Sequence, residues 1–465
     1  MQFNSNLFIF FFLPVLLLVH GLLKNNKQRN LWLLLESCLF FCWASAESFL
    51  FVLVYGLFNY GMARALAARP NQKLLLALAV IADVAVLFVF KYLNFSFGIA
   101  GRLLGLSLPA VQMFQPMGIS FLTFTMIAYV VDVYKGIAPM LTNPIDFFLY
   151  LIFFVKAGQG PIIRHGDMIP ALSDRVCTRE DFFLGLHRFI RGFGKKVLIA
   201  DILGNTVDII FGALTGGISP ATAWLGIFFY TFQIYYDFAG YTDMAIGLGR
   251  MLGFRLPENF DDPYFSKSVS EFWNRWHMTL GKWFKDYIYI PLGGNRKGKL
   301  RQIFNLAVVW TVTGVWHGAS VHFILWGMYY GVLIILEKQI MDKQWYQSIP
   351  DPVKWAVTFL LTLIGWTIFR ASSMTELMLY LKAMFGVAGF PMYVYDLSYL
   401  LDARGLMALA AAVLLALPRP KGLEGITQRS EKAYLLHSIA LVLLFAVTVV
   451  FMVNSTYNSF IYFQF

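Results

Sequence analysis

Gln302-Ile-Phe-Asn-Leu-Ala-Val-Val-Trp-Thr-Val-Thr-Gly-Val-Trp-His317-Gly318 is a stretch of 17 residues, apolar for most of its length, that closes on an imidazole. About 17 to 25 such residues carry a helix across a bilayer. The run therefore reads as a membrane helix, and an ionisable group at that depth is costly enough to be a functional hypothesis by default. A second histidine, His277, ends Ser268-Val-Ser-Glu-Phe-Trp-Asn-Arg-Trp-His277, 40 residues earlier and again beside tryptophan.

Outward from this stretch the same pattern repeats. Apolar runs near 6 to 23, 74 to 92, 117 to 133, 195 to 215, 221 to 238, 321 to 337, 354 to 370, 404 to 418 and 434 to 453 are each about long enough to cross. Residues 31 to 63 read as a helical hairpin turning near Ser45-Ala-Glu47, and 145 to 157 as a re-entrant segment. A chain of 465 residues that is 58% hydrophobic and 14% charged is too apolar for one soluble core, which makes it an all-α polytopic membrane protein. With no internal repeat in view, residues 1–465 form one integral domain, with an extracytoplasmic loop at about 371 to 403.

Basic residues gather in 24–29, 64–73, 164–196, 250–301, 338–343 and 419–432. The positive-inside rule makes these loops cytoplasmic, and alternating the crossings then places both termini outside. Nothing at the N-terminus resembles a cleaved leader, so the first run is read as a retained span. Topology and anionic lipid account for the net charge of +11, and no nucleic-acid partner is implied. Cys38, Cys42 and Cys177 form neither a Cys-x-x-Cys pair nor a zinc pattern.

Pro257-Glu-Asn-Phe-Asp-Asp-Pro263 is a turn-rich break, after which Ser268-x-x-Glu271 has the form of a capping box. The spacing of Phe272, Trp273, Trp276, Leu280, Trp283, Phe284 and Tyr287 predicts one helix with an aromatic face, running until Pro291-Leu-Gly-Gly. Asn274, Arg275, Lys282, Lys285 and Asp286 fall mostly on the opposite face, and His277 on the flank of the aromatic arc. An interfacial helix follows, with two readings of its cations. Lys282, Lys285, Arg296 and Lys297 either meet lipid phosphates or attract a polyphosphorylated cytoplasmic donor such as a coenzyme A thioester.

Around His317, glycines at 314 and 318 leave room for a chain or a substrate to approach the imidazole. His322 lies about 140° away on a helix, which does not match the i, i+4 pairing of a zinc helix, and no metal site is expected. Neither a Gly-x-Ser-x-Gly elbow nor a reactive-cysteine setting is present. A confined imidazole among aromatic rings suits removal of a hydroxyl proton as that hydroxyl attacks a thioester.

Several of these motifs coincide with a known family. Tyr236-Asp-Phe-Ala-Gly-Tyr-Thr-Asp-Met-Ala-Ile-Gly-Leu-Gly249, Glu271-Phe-Trp-Asn-Arg-Trp-His277-Met-Thr-Leu280, Asp286-Tyr-Ile-Tyr-Ile-Pro-Leu-Gly-Gly-Asn-Arg296 and Gly314-Val-Trp-His317-Gly318 resemble membrane-bound O-acyltransferases. Pro116-Met-Gly-Ile-Ser-Phe121, Tyr129-Val-Val-Asp-Val-Tyr134 and Gly160-Pro161 extend the likeness over most of the chain to about residue 335. It is strongest to the bacterial polysaccharide branch, whose members acetylate alginate or cellulose.

The resemblance implies a ring of about 10 to 12 membrane helices, with re-entrant and interfacial helices, around a central tunnel. It implies His317 as the catalytic histidine and His277 as the second motif position. Acetyl-CoA would be a donor substrate, with no permanently bound cofactor. Lys282, Trp283, Lys285, Arg296 and Lys297 would meet that donor, and Tyr236, Asp237, Tyr241, Asn274 and Trp316 would line the tunnel or contact substrate. The protein would lie in the bacterial inner membrane, pass acetyl to an exported polysaccharide, and work with a periplasmic partner of the SGNH-hydrolase type. Peptidoglycan, teichoic acid or a lipid are alternative acceptors. A transporter or channel using the histidines for proton coupling is the alternative of a different class, weakened by the scarcity of acidic residues within most spans.

Overall fold

The computed structural model describes residues 1–390, 392–418, 431–455 and 457. Among them there is no strand; a single antiparallel bridge joins Phe260 to Trp276. The apolar runs of the sequence are largely helical, but those at 221–238 and 302–318 fall in Pro220–Met251 and Lys299–His317, which are not among the helices apolar enough to cross a membrane. Six helices are long and apolar enough to cross a membrane: Ala46–Ala68, Lys73–Leu104, Arg179–Gly216, Val321–Ile340, Asp351–Arg370 and Lys432–Asn454. Shorter apolar helices are Phe8–Leu22, Ile119–Tyr134 and Ala403–Ala416. Large apolar side chains such as Leu74, Leu78, Ile81, Leu436 and Val442 are exposed on these helices, where lipid rather than water is the matching solvent. The chain is thus an all-α, multi-pass membrane protein.

The described residues cluster into two compact units. The first comprises Met1–Phe189 and Ala245–Pro257. Ser45 ends the Asn26–Ala44 helix and its hydroxyl accepts from Ser48 N–H to start the next, which makes the expected hairpin. Phe3, Phe8, Phe12, Phe40 and Phe154 form its aromatic core. The Pro144–Ile152 helix, nine residues long, rises only ~13 Å and leads into buried Phe153, Phe154 and Val155. It is too short to cross, as the re-entrant reading of 145 to 157 requires.

The second unit holds Ile190–Met244 and the chain from Glu258 onward. Its centre is a hairpin of the Lys299–His317 and Val321–Ile340 helices, crossing where Gly314 faces Gly327. A Cβ on Gly314 would stand 2.4 Å from Phe323 O, and one on Gly327 would stand 2.3 Å from Trp310 O, so only glycine permits the crossing. The ring of Phe323 fills the space beside Gly318. The room left by these two glycines is therefore taken by the neighbouring helix, not by substrate. Residues 371 to 403, expected as a loop, contain the Met374–Met384 helix, capped by Ser373, and a short Leu397–Leu400 turn. Deeper in the unit, Lys196 Nζ lies 2.6 Å from Asp201 and 2.7 Å from Asp237, all three buried. The basic cluster expected at 419–432 lies almost entirely outside the described residues.

Candidate active site

The predicted single helix from 268 to 290 is two helices. Val269–Arg275 ends at Trp276, which is extended, and His277 takes the left-handed conformation at φ 45° before Met278–Phe284 begins. Neither glycine nor proline marks the break. It is imposed by the turn-rich stretch upstream: Asp261 N–H donates to Arg275 O and Met278 N–H donates to Asn259 O, both at 3.0 Å, across the Phe260–Trp276 bridge. These bonds satisfy the terminal groups that an unbroken helix would have paired internally. The helical-wheel position of His277 does not survive the break.

The start of the first short helix is as the capping box predicts. Ser268 Oγ accepts from Glu271 N–H at 3.0 Å, while the Glu271 carboxylate accepts from Lys267 N–H at 2.8 Å, one residue before the cap. Glu337, reaching over from the Val321–Ile340 helix, accepts from Val269 and Ser270 N–H, which pins this terminus to the hairpin.

His277 is 2% exposed. Its ring stands edge-on to Phe238, centroids 4.7 Å apart, and Nδ1 lies 3.0 Å from Asn259 Oδ1. Burial alone drives its pKa down to about 3, so the imidazole is neutral. His317 is the last residue of its helix and 3% exposed. Trp316, Trp326 and Phe369 surround its ring at 4.9, 4.9 and 5.3 Å. A file of rings joins the two histidines: Phe238, against His277, meets Phe260 at 5.0 Å, Phe260 meets Trp276 at 5.0 Å, Trp276 meets Trp366 at 4.8 Å, Trp366 meets Phe369 at 5.7 Å, and Phe369 meets His317. Trp326, Trp366, Phe369 and Asn259 are thus part of the site that periodicity did not single out. Asn259 sits in the turn-rich stretch whose only legible signal was a chain break.

The remaining expected residues divide by burial. Lys282, Lys285, Arg296 and Lys297 are exposed, and none is in an ion pair among the described residues. Trp283 is buried against Phe284 and Tyr287. Arg296 and Lys297 precede a helix whose far end carries His317, roughly 27 Å along the axis. Tyr236 donates to Ala412 O at 2.6 Å and Asp237 pairs with Lys196, so both tie the core together; Tyr241 is buried and Asn274 exposed. His322 Nδ1 is 2.8 Å from Ser320 Oγ, and among the described residues no group of three histidine, cysteine or acidic side chains could hold a metal.

One residue beyond Phe369, Arg370 lines an open cleft of ≈ 550 Å³ with Asp208, Phe211, Ser372, Ser373 and Glu376. Arg370 pairs with Asp208 at 2.7 Å and lies over the Phe211 ring, an arrangement of charges, hydroxyls and an aromatic face adjoining the wall of His317.

An all-α membrane body with two buried histidines joined by aromatic rings agrees with the sequence comparisons. The family described as MBOAT, membrane-bound O-acyltransferase, matches residues 137–381, which include both histidines, and the chain belongs to that family. It is an O-acyltransferase. The chain is similar to the probable alginate O-acetylase AlgI of Pseudomonas putida, 41% identical over 392 residues that cover 80% of this chain and 78% of that protein. The protein of the same description from Azotobacter vinelandii is 34% identical over 511 residues covering 100% of each. The peptidoglycan O-acetyltransferase of Helicobacter pylori is 34% identical over 423 residues, covering 83% of this chain and 80% of its own.

Proposed function

We propose that this protein is an inner-membrane O-acetyltransferase subunit that takes acetyl from cytoplasmic acetyl-CoA for modification of an exported polysaccharide, alginate or cellulose. The observation that carries the proposal is the buried His317 imidazole, set in aromatic rings at the end of the Lys299–His317 helix, whose other end adjoins the basic loop. His317 would take the proton of an attacking hydroxyl as its oxygen bonds to the thioester carbonyl carbon. Collapse of that adduct breaks the C–S bond, and the proton passes to the departing thiolate.

The donor's phosphates would rest on Lys282, Lys285, Arg296 and Lys297, and the acceptor hydroxyl would enter from the cleft beside Arg370. In this topology the basic loops face the cytoplasm and both termini the periplasm, though the C-terminal end itself, Phe465, lies outside the described residues. A periplasmic SGNH-hydrolase-type partner would complete transfer to the sugar. Peptidoglycan is the second acceptor reading, favoured by the likeness to the Helicobacter pylori protein over most of both chains.

His317→Ala tests the reading. Acetylation of the exported polymer should fall by ~10² or more with membrane insertion and protein level unchanged. Normal acetylation by a folded variant would overturn it.

A further inference from the structure

Asn259 Oδ1 receives three neighbours. Thr279 N–H donates to it at 3.2 Å, the Thr279 hydroxyl donates at 2.9 Å, and His277 Nδ1 stands 3.0 Å away. A backbone N–H cannot accept, so the amide atom facing it has to be the oxygen. Turning the amide over would set its NH2 against the Thr279 N–H and would repair nothing. An amide oxygen has only lone pairs to offer, and the hydrogen between it and His277 therefore belongs to Nδ1. A neutral imidazole carries one N–H, so Nε2 is left with its lone pair. Nε2 is buried, and no described protein group hydrogen-bonds it.

We propose that Asn259 is a positioning residue that locks His277 in the Nδ1–H tautomer, so that Nε2 is presented to bound substrate as a hydrogen-bond acceptor. In this state His277 cannot donate to a thioester carbonyl or to the oxyanion formed from it. Its partner must be a group bearing hydrogen, and within the acyl transfer proposed above that group is an O–H or N–H of the bound donor or acceptor other than the one His317 deprotonates. His277, held by Asn259, would then orient the bound substrate while His317 takes the proton of the attacking hydroxyl. The second step rests on the proposed function, whereas the tautomer does not.

The test uses the purified full chain with isotopically labelled histidine, in one detergent. The ring-nitrogen signals of His277, assigned by their loss in His277→Asn, should report Nδ1–H in the wild type and in Asn259→Asp, whose carboxylate accepts from the same donors. Asn259→Leu should lose that tautomer, with kcat down ~10²-fold and KM within about twofold, because the lost contact aligns bound substrate for reaction without setting how tightly it binds. An Nε2–H wild type, or Asn259→Leu with an unchanged tautomer or unchanged kcat, overturns the positioning role. If Asn259→Leu does not accumulate, the wild-type and Asn259→Asp spectra still decide. Tautomer loss in Asn259→Leu combined with full activity in His277→Asn would keep the tautomer assignment and remove His277 from acyl transfer.

Discussion

Gly314→Ala changes one hydrogen to a methyl at the point where two helices touch. The new carbon would meet Phe323 O at 2.4 Å and Gly327 Cα at 3.2 Å, against an ordinary contact of 3.4 Å or more. Both obstacles are backbone and cannot rotate away, so the helices must part by about 1 Å, the difference between 3.4 and 2.4 Å. Overpacking of this kind costs about 1–3 kcal/mol. His317 follows three residues later on the same face, so the opening is passed to the imidazole. A displacement of about 1 Å at a reacting group can cost ~10²-fold in rate. Thermal inactivation and acetyl-transfer turnover of the purified variant should both show the loss, with turnover falling further than the stability change requires. Gly61→Ala, which meets nothing within 4 Å, is the control and should match or slightly exceed the wild type in stability. Wild-type stability and turnover in Gly314→Ala would refute the close-crossing account.

Lys196→Met leaves Asp201 and Asp237 buried without their shared cation, at a cost of ~3–5 kcal/mol, and should abolish accumulation of folded protein. Lys195→Met, which loses a more exposed pair with Asp243, should cost ~1 kcal/mol or less; equal damage from the two would contradict the burial argument. Neutralising Lys282, Lys285, Arg296 and Lys297 together should weaken acetyl-CoA binding most at low ionic strength, where exposed charges are least screened. Unchanged affinity would leave these residues to lipid. Acid stability follows from the lowered pKa of His277. Below its unfolded value of ~6.5 the unfolded chain takes up the proton first, so folding is penalised progressively as pH falls towards about 3, and no contribution remains above ~6.5. Denaturation of His277→Asn between about pH 6.5 and 5 should show a shallower acid slope than wild type; the same slope would deny the histidine a buried, neutral ring.

The helices were legible because each apolar run has its own ends. Ser45 and Ser268 cap their helices through their own side chains, and such local chemistry is written in adjacent residues. The break at Trp276 and His277 was not legible, because the groups that pair with its backbone lie in the 259–261 stretch. Asp237 shows the same limit from the other direction. It stands in a family motif that suggests a substrate contact, yet its partner is Lys196, 41 positions earlier, and no spacing rule joins the two. Of the site, the histidines were visible as misplaced ionisable groups; Asn259, Trp366 and Phe369 act through tertiary contact and left no periodic trace.

The left-handed backbone at His277 also acts as a filter on which residues this position accepts. Most side chains are disfavoured at φ 45°, while histidine, asparagine and aspartate are tolerated several-fold better, and glycine best of all. Chemistry at this point of the chain is therefore chosen from a very short alphabet before any substrate is considered. A library randomised here should return stably folded variants drawn from that alphabet, and the same letters are the ones to try first when redirecting the site to a new acyl group or acceptor.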